Sequence, residues 1–167
     1  KDKEILLFPI LSSIFSIILF FIFLFPVLLS SAGKEPTFSV YAGVFGFYFA
    51  VTFLAVFFNA GIVHIAHARF RGGDASFKDG IKASFRRLPQ ILAWSLLSAT
   101  VGLILNALEE KASGKGNILA RIAVGMFGAA WAIVSMFVVP AIVIKGYGPI
   151  TALKSSAMTV KKTWGEA

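Results

Sequence analysis

Four long apolar runs, separated by short polar or charged stretches, set the organisation of the chain. The first extends from Ile5 to Leu29, with no charged residue between Glu4 and Lys34. The second goes from Phe38 to about Ala68, the third from Pro89 to Leu108, and the fourth from about Ile118 to Ile144. A helix crossing about 30 Å of hydrocarbon needs about 20 such residues. Each run therefore predicts a membrane span, over 5–29, 38–66, 89–108 and 118–144. The first is too long, and too aromatic at Phe15, Phe20, Phe21, Phe23 and Phe25, for a cleaved signal peptide. The second exceeds a minimal span and must tilt or project beyond the bilayer.

Between the second and third runs the pattern changes to an amphipathic one. Phe77, Ile81, Phe85 and Leu88 recur at helical spacing with Lys78, Lys82 and Arg86 beside them. Ser76 followed three residues later by Asp79 resembles a capping box, and Gly72-Gly73-Asp74 supplies a turn before it. A basic interfacial helix is predicted over 76–88. A second is predicted over 149–165, with Ile150, Leu153, Ala157, Val160 and Trp164 on one face and Lys154, Lys161 and Lys162 on another. The expected fold is all-α, a single multi-pass transmembrane helical bundle over 1–167 with basic amphipathic interfacial helices. Lys1-Asp2-Lys3-Glu4 reads as the end of a basic amphipathic lead-in, so the chain is expected to be a fragment of a longer one.

Charge orients these elements. The 69–88 stretch carries six basic and two acidic residues, a net +4, and the segment after Lys145 is also basic. The connectors near Lys34 and Lys111 each sum to zero. By the positive-inside rule the basic segments face the cytoplasm and the protein resides in the cell (cytoplasmic) membrane.

Composition closes off other classes. The 167 residues are 57% hydrophobic and 14% charged, against about a quarter charged in soluble domains, and the mean hydropathy is +0.84. Lipid lets apolar side chains such as the 18 Phe face outward. There is no Cys, which removes disulfides, thiolate metal sites and thiol nucleophiles. The net charge of +8 has no interleaved exposed aromatics to suit nucleic acid, so none is expected as a partner. Anionic lipid headgroups are the expected partners of Lys78, Lys82, Arg86, Arg87, Lys154 and Lys161.

Candidate chemistry is sparse. Small residues repeat every four positions at Ala42, Gly46 and Ala50, at Ser98, Gly102 and Asn106, and at Gly128 and Ala132 beside Gly125 and Ala129. Such faces serve packing within one bundle or a homo-oligomer interface. A few helices enclose a pore only as an oligomer, and Asn59, Ser98, Asn106 and Glu109 are the candidate pore-lining or binding residues. His64 and His67 share a helix face. Asp74 or Asp79 would have to complete any metal site they begin, since zinc takes three or four ligands; the alternative is a pair of partly wet histidines near headgroups. Glu109 and Glu110 point about 100° apart and do not form a facing acid/base pair. No P-loop, GxSxG or HExxH is present, so neither an enzyme nor a cofactor is expected. The leading expectation is an oligomeric pore or transport-associated module for an unidentified small molecule or ion. The alternative is a membrane scaffold or anionic-lipid-interacting protein.

Phe57-Phe58-Asn59-Ala60, Arg69-Phe70-Arg71-Gly72-Gly73-Asp74, Asp79-Gly80 and Arg86-Arg87-Leu88 are followed by Phe137-Val138-Val139-Pro140, Gly146-Tyr147-Gly148-Pro149, Ala152-Leu153-Lys154-Ser155-Ser156 and Thr163-Trp164-Gly165-Glu166. This series resembles an uncharacterised multi-pass membrane family of archaea and bacteria, a domain of unknown function. The later part is also distantly similar to the membrane domain attached to some glycerophosphodiester phosphodiesterases. The resemblance implies an all-helical bundle, with one or two further spans after Ala167, and carries no catalytic residue with it.

Overall fold

The computed structural model describes residues 4–31, 37–114 and 118–164. The lead-in Lys1–Lys3, most of the first connector, Gly116 and the end of the second interfacial segment lie outside the described residues. Among those described, every regular element is helical. Four helices are long and apolar enough to cross a membrane: Leu7–Ser30, Phe38–Phe70, Leu88–Ser113 and Ile118–Lys145. The chain is an all-α, multi-pass membrane protein.

Two of these spans are interrupted, each next to a proline. The first comprises α1 (Leu7–Leu19), π-helical turns over Phe20–Leu24, and α2 (Phe25–Ser31). The N–H of Phe25 donates to the carbonyl of Phe20, one residue further back than in an α-helix. Pro26 follows directly. It has no N–H, and its ring crowds the carbonyl four residues earlier, so the register slips where the ladder is already weakened. The fourth span divides into α6 (Ile118–Ser135) and α7 (Val138–Lys145), with a turn at Met136–Phe137. Pro140 accounts for this break in the same way, and it sits in the first turn of α7, where its missing N–H costs little.

The helix α3 (Phe38–Phe70) is the centre of the bundle. Its 33 residues rise about 50 Å at 1.5 Å each, more than the hydrocarbon thickness. It packs against α1, α4 (Phe77–Arg86), α5 (Leu88–Gly114) and α7. It ends in a Schellman turn: Gly73 N–H donates to Ala68 O at 2.9 Å, and Gly72 N–H to Arg69 O at 2.9 Å. Gly72 takes φ +80°, a conformation glycine adopts without a Cβ penalty. The chain then enters α4, turns at Arg87 into α5, and ends the described part in α8 (Pro149–Trp164).

Burial concentrates at one end. Phe8, Phe57, Phe58, Ile65, Ile91, Trp94, Ile142 and Ala152 form one cluster drawn from α1, α3, α5, α7 and α8. Away from it, Ile17, Ile22, Leu29, Leu119 and Met126 are exposed, an arrangement that hydrocarbon accepts and water would not. Trp94 and Trp131 stack at 5.8 Å and 24°, joining α5 to α6. Span hydroxyls stay local: Ser13, Thr52 and Thr100 donate to carbonyls four residues back, satisfying themselves without a partner helix.

Candidate functional site

The basic helix α4 is fixed to the bundle from both its end and its side. At the start, the capping box is complete: the Ser76 N–H donates to Asp79 Oδ2 at 2.9 Å, and the Asp79 N–H donates to Ser76 Oγ. A third exposed N–H, that of Phe77, donates to Glu4 Oε2 at 2.9 Å. The N-terminal segment thus supplies a carboxylate to the positive end of a helix more than seventy residues later. Hydrogen bonds from the Ser76 backbone and hydroxyl hold the Asp79 carboxyl below its ordinary range, with lesser contributions from the positive fields of His64 and Lys82.

Side-on contact depends on glycine. A Cβ at Gly80 would lie 3.0 Å from the Gly61 carbonyl oxygen, 2.8 Å from Phe8 Cζ and 2.9 Å from Ile65 Cδ1. A Cβ at Gly61 would meet Phe8 Cε1 at 2.4 Å. So α3 and α4 touch backbone to backbone, and the fully buried Phe8 ring is wedged between them. Phe8 also meets Phe77 at 4.6 Å and Phe58 edge-on at 6.2 Å. Beside the glycines, the buried Ser84 hydroxyl donates to Phe57 O at 2.8 Å. The two helices are thereby pinned in register.

Three faces of α4 result. Gly80, Ala83 and Ser84 are buried against the bundle. At about 100° per residue, Phe77, Ile81 and Phe85 occupy a second arc, and Lys78, Lys82 and Arg86 a third directly beside it. The small residues make the closest contact, because only they let the backbones approach, and Phe77 and Ile81 pack half-buried against the core beside them. The large ones border a wholly apolar groove of about 510 Å³, shared with Phe15, Phe53 and Phe57 of the neighbouring spans. Phe85 remains 60% exposed at its edge.

The helix α8 repeats the arrangement. Ala152 and Ser156 are buried while Ile150 and Met158 are exposed. The Ser156 hydroxyl donates to the Val134 carbonyl in the last turn of α6, where carbonyls lack an intrahelical partner. An apolar groove of about 350 Å³ opens between α6 and α8, lined by Phe127, Trp131 and Leu153 with Lys154 among its walls. Each basic helix is therefore docked by small residues and one serine, and each borders an apolar groove.

The remaining sequence candidates are dispersed. Asn59, Asn106 and Glu109 are exposed, and Ser98 is half-buried; neither groove draws its lining from them. Gly102 faces Tyr48, whose Cε1 would be 3.1 Å from a Cβ there, whereas Gly46, Gly125 and Gly128 face open space. His64 and His67 are both half-buried. Among the described residues, no three His, Asp or Glu side chains are grouped to hold a metal ion. Instead His64 lines a cleft with Ala83, Arg86, Arg87 and Val143. Lys161 is exposed on α8. The sequence reading gave no structural role to Phe8, Gly61, Gly80, Ser84 or Ser156. Their available signal was a glycine kept in each of two helices, where alanine is favoured by about 1 kcal/mol.

Residues 38–167 match the model of a family of unknown function, DUF6159, and the chain belongs to that family. No curated protein and no solved structure matches it. The distant similarity to the membrane domain of glycerophosphodiester phosphodiesterases finds no support in these comparisons.

Proposed function

We propose that this member of a family of unknown function is a non-enzymatic, anionic-lipid-interacting membrane protein, acting through α4 and α8 at the cytoplasmic leaflet. The observation that carries this reading is the three-faced arrangement of α4. Its small face is held against α3, Phe77 and Ile81 pack half-buried on the core beside it, and the exposed Phe85 is left next to the row of Lys78, Lys82 and Arg86. An apolar groove beside a row of cations complements a lipid, which has acyl chains next to a negative headgroup. The docked α8, with Lys154 at its own groove, supports the same reading. Orientation follows from the positive-inside rule, which puts both basic helices in the leaflet richest in anionic lipid.

Native mass spectrometry of the detergent-purified protein, titrated with phosphatidylglycerol and phosphatidylcholine, tests it. Retention of the anionic lipid in preference to the zwitterionic one is expected, with weaker retention in a Lys78→Gln/Lys82→Gln variant. Equal retention of the two lipids would refute the reading.

A second reading, an oligomeric pore or transport-associated module, is favoured by one observation. Gly125, Ala129 and Ala132 lie exposed on α6, and a Cβ at Gly125 or Gly128 would meet nothing. A small-residue face left open on a spanning helix is suited to a second copy. Light scattering in detergent separates the readings: a closed ring of about four subunits supports a pore on its axis, and a monomer removes it.

A further inference from the structure

We propose that the cleft between α3, α4 and α7 binds a phosphate group in its phosphomonoester-like, dianionic form. The cleft has a volume of about 240 Å³ and is lined by His64 from α3, Ala83, Arg86 and Arg87 from α4 and its end, and Val143 from α7. One water needs only about 10–15 Å³ of such space, so the cleft admits a tetrahedral oxyanion.

The architecture around Arg87 is specific. A Cβ on Gly146 would lie 2.9, 3.0 and 3.1 Å from Nη2, Nη1 and Cζ of Arg87. The Arg87 guanidinium therefore occupies the space that a side chain at residue 146 would fill. Gly146 has φ +71° as the left-handed cap of α7, so glycine there both ends α7 and makes room for the guanidinium. Neither Arg86 nor Arg87 has an ion-pair partner among the described residues. Asp79, the carboxylate that feels His64, is already engaged by Ser76. Two arginines and His64 thus line one cleft, and among the described residues no carboxylate pairs with either arginine, an arrangement that suits an anionic ligand.

The donor set indicates which anion. Each guanidinium presents a planar fork suited to bidentate contact with an oxyanion, and the imidazole offers one more donor. A carboxylate has two oxygens to receive them, whereas a phosphomonoester has three free oxygens and a second negative charge. The phosphate has two sources, the headgroup of a lipid such as phosphatidic acid or phosphate in solution. Only the lipid source rests on the proposed function above.

The test uses the whole chain in phosphate-free zwitterionic detergent. Inorganic phosphate binding is measured by calorimetry, and phosphatidic acid and phosphatidylglycerol binding by native mass spectrometry. The proteins are wild type, Arg86→Gln, Arg87→Gln and, as a control at the other end of the bundle, Lys111→Gln. Arg86 is exposed, so its variant reports on binding even if Arg87→Gln disturbs the α4–α5 turn. Phosphatidic acid held about tenfold tighter than phosphatidylglycerol, with that preference lost in the arginine variants and kept in Lys111→Gln, establishes a headgroup site. Inorganic phosphate bound by wild type and lost in the arginine variants, with no lipid preference, supports the site with a soluble ligand and sinks the lipid reading. Anionic lipid retained equally by wild type and both arginine variants, with no phosphate binding, overturns the site and leaves the proposed function standing.

Discussion

Replacing Gly80 with alanine probes the contact on which the position of α4 depends. In isolation the change favours the helix by about 1 kcal/mol. In the folded protein the new methyl group would stand 3.0 Å from Gly61 O and under 3 Å from Phe8 Cζ and Ile65 Cδ1. Phe8 and Ile65 are fully buried and cannot swing away, and the carbonyl is backbone, so α4 must move off α3. Overpacking of this kind costs about 1–3 kcal/mol. The separation also lengthens the Ser84–Phe57 hydrogen bond, worth about 1 kcal/mol. The net effect is a destabilisation of about 1–3 kcal/mol, which for a chain of this size lowers Tm by about 3–10 °C. Gly46→Ala is the matched control, because nothing lies within 4 Å of a Cβ there, and it should hold or raise Tm. Thermal unfolding of both variants in detergent, followed by intrinsic fluorescence, reads the difference. A Tm for Gly80→Ala equal to or above wild type would refute the backbone contact between α3 and α4.

Three further outcomes follow from the same geometry. Ser84→Ala should cost about 1 kcal/mol by removing the buried hydrogen bond to Phe57 O, and Ser84→Cys should recover little of it, as chemical unfolding will show. Because the folded Asp79 carboxyl titrates below the ordinary aspartate value, its capping contribution is fully present above that ordinary value and is lost as pH falls through the depressed one. Hydrogen exchange of the first turn of α4 should therefore be flat from neutral pH down to the ordinary carboxylate range, after correction for intrinsic rates, and accelerate only below it. Replacing Lys78 or Lys82 with Gln should weaken retention of phosphatidylglycerol about fivefold per charge, while Lys111→Gln at the other end should leave it unchanged.

Much of the framework is legible in the residues. Long apolar runs mark the four spans, Gly72-Gly73 the end of α3, and Ser76 with Asp79 the start of α4, because each rests on local chemistry. What the residues hide is which side of a helix faces protein. In a chain this apolar, lipid and core make the same demand on a side chain, so hydropathy does not tell Phe8, which is buried, from Phe21, which is 57% exposed. Amphipathic spacing in α4 and α8 separates charged from apolar positions but leaves hidden the close helix contacts at Gly80, Ser84, Ala152 and Ser156, which steric reach selects. The interruptions at Phe20–Leu24 and Met136–Phe137 lie a few residues before Pro26 and Pro140. The sequence shows the prolines without showing how far back the ladder yields. Glu4 on α4 and Arg87 over Gly146 are long-range contacts with no local trace.

The central claim is that α4 presents Phe85 to lipid and its lysine arc to headgroups. The chain contains no cysteine, so single cysteines can be introduced at Phe85, Lys82 and Ala83 and spin-labelled in reconstituted vesicles. Collision rates with oxygen and with a water-soluble nickel complex then report the surroundings of each. The account predicts oxygen-rich hydrocarbon at 85, the headgroup level at 82, and a label at 83 that is immobilised and shielded from both reagents. A label at 85 open to the nickel complex and closed to oxygen would contradict it.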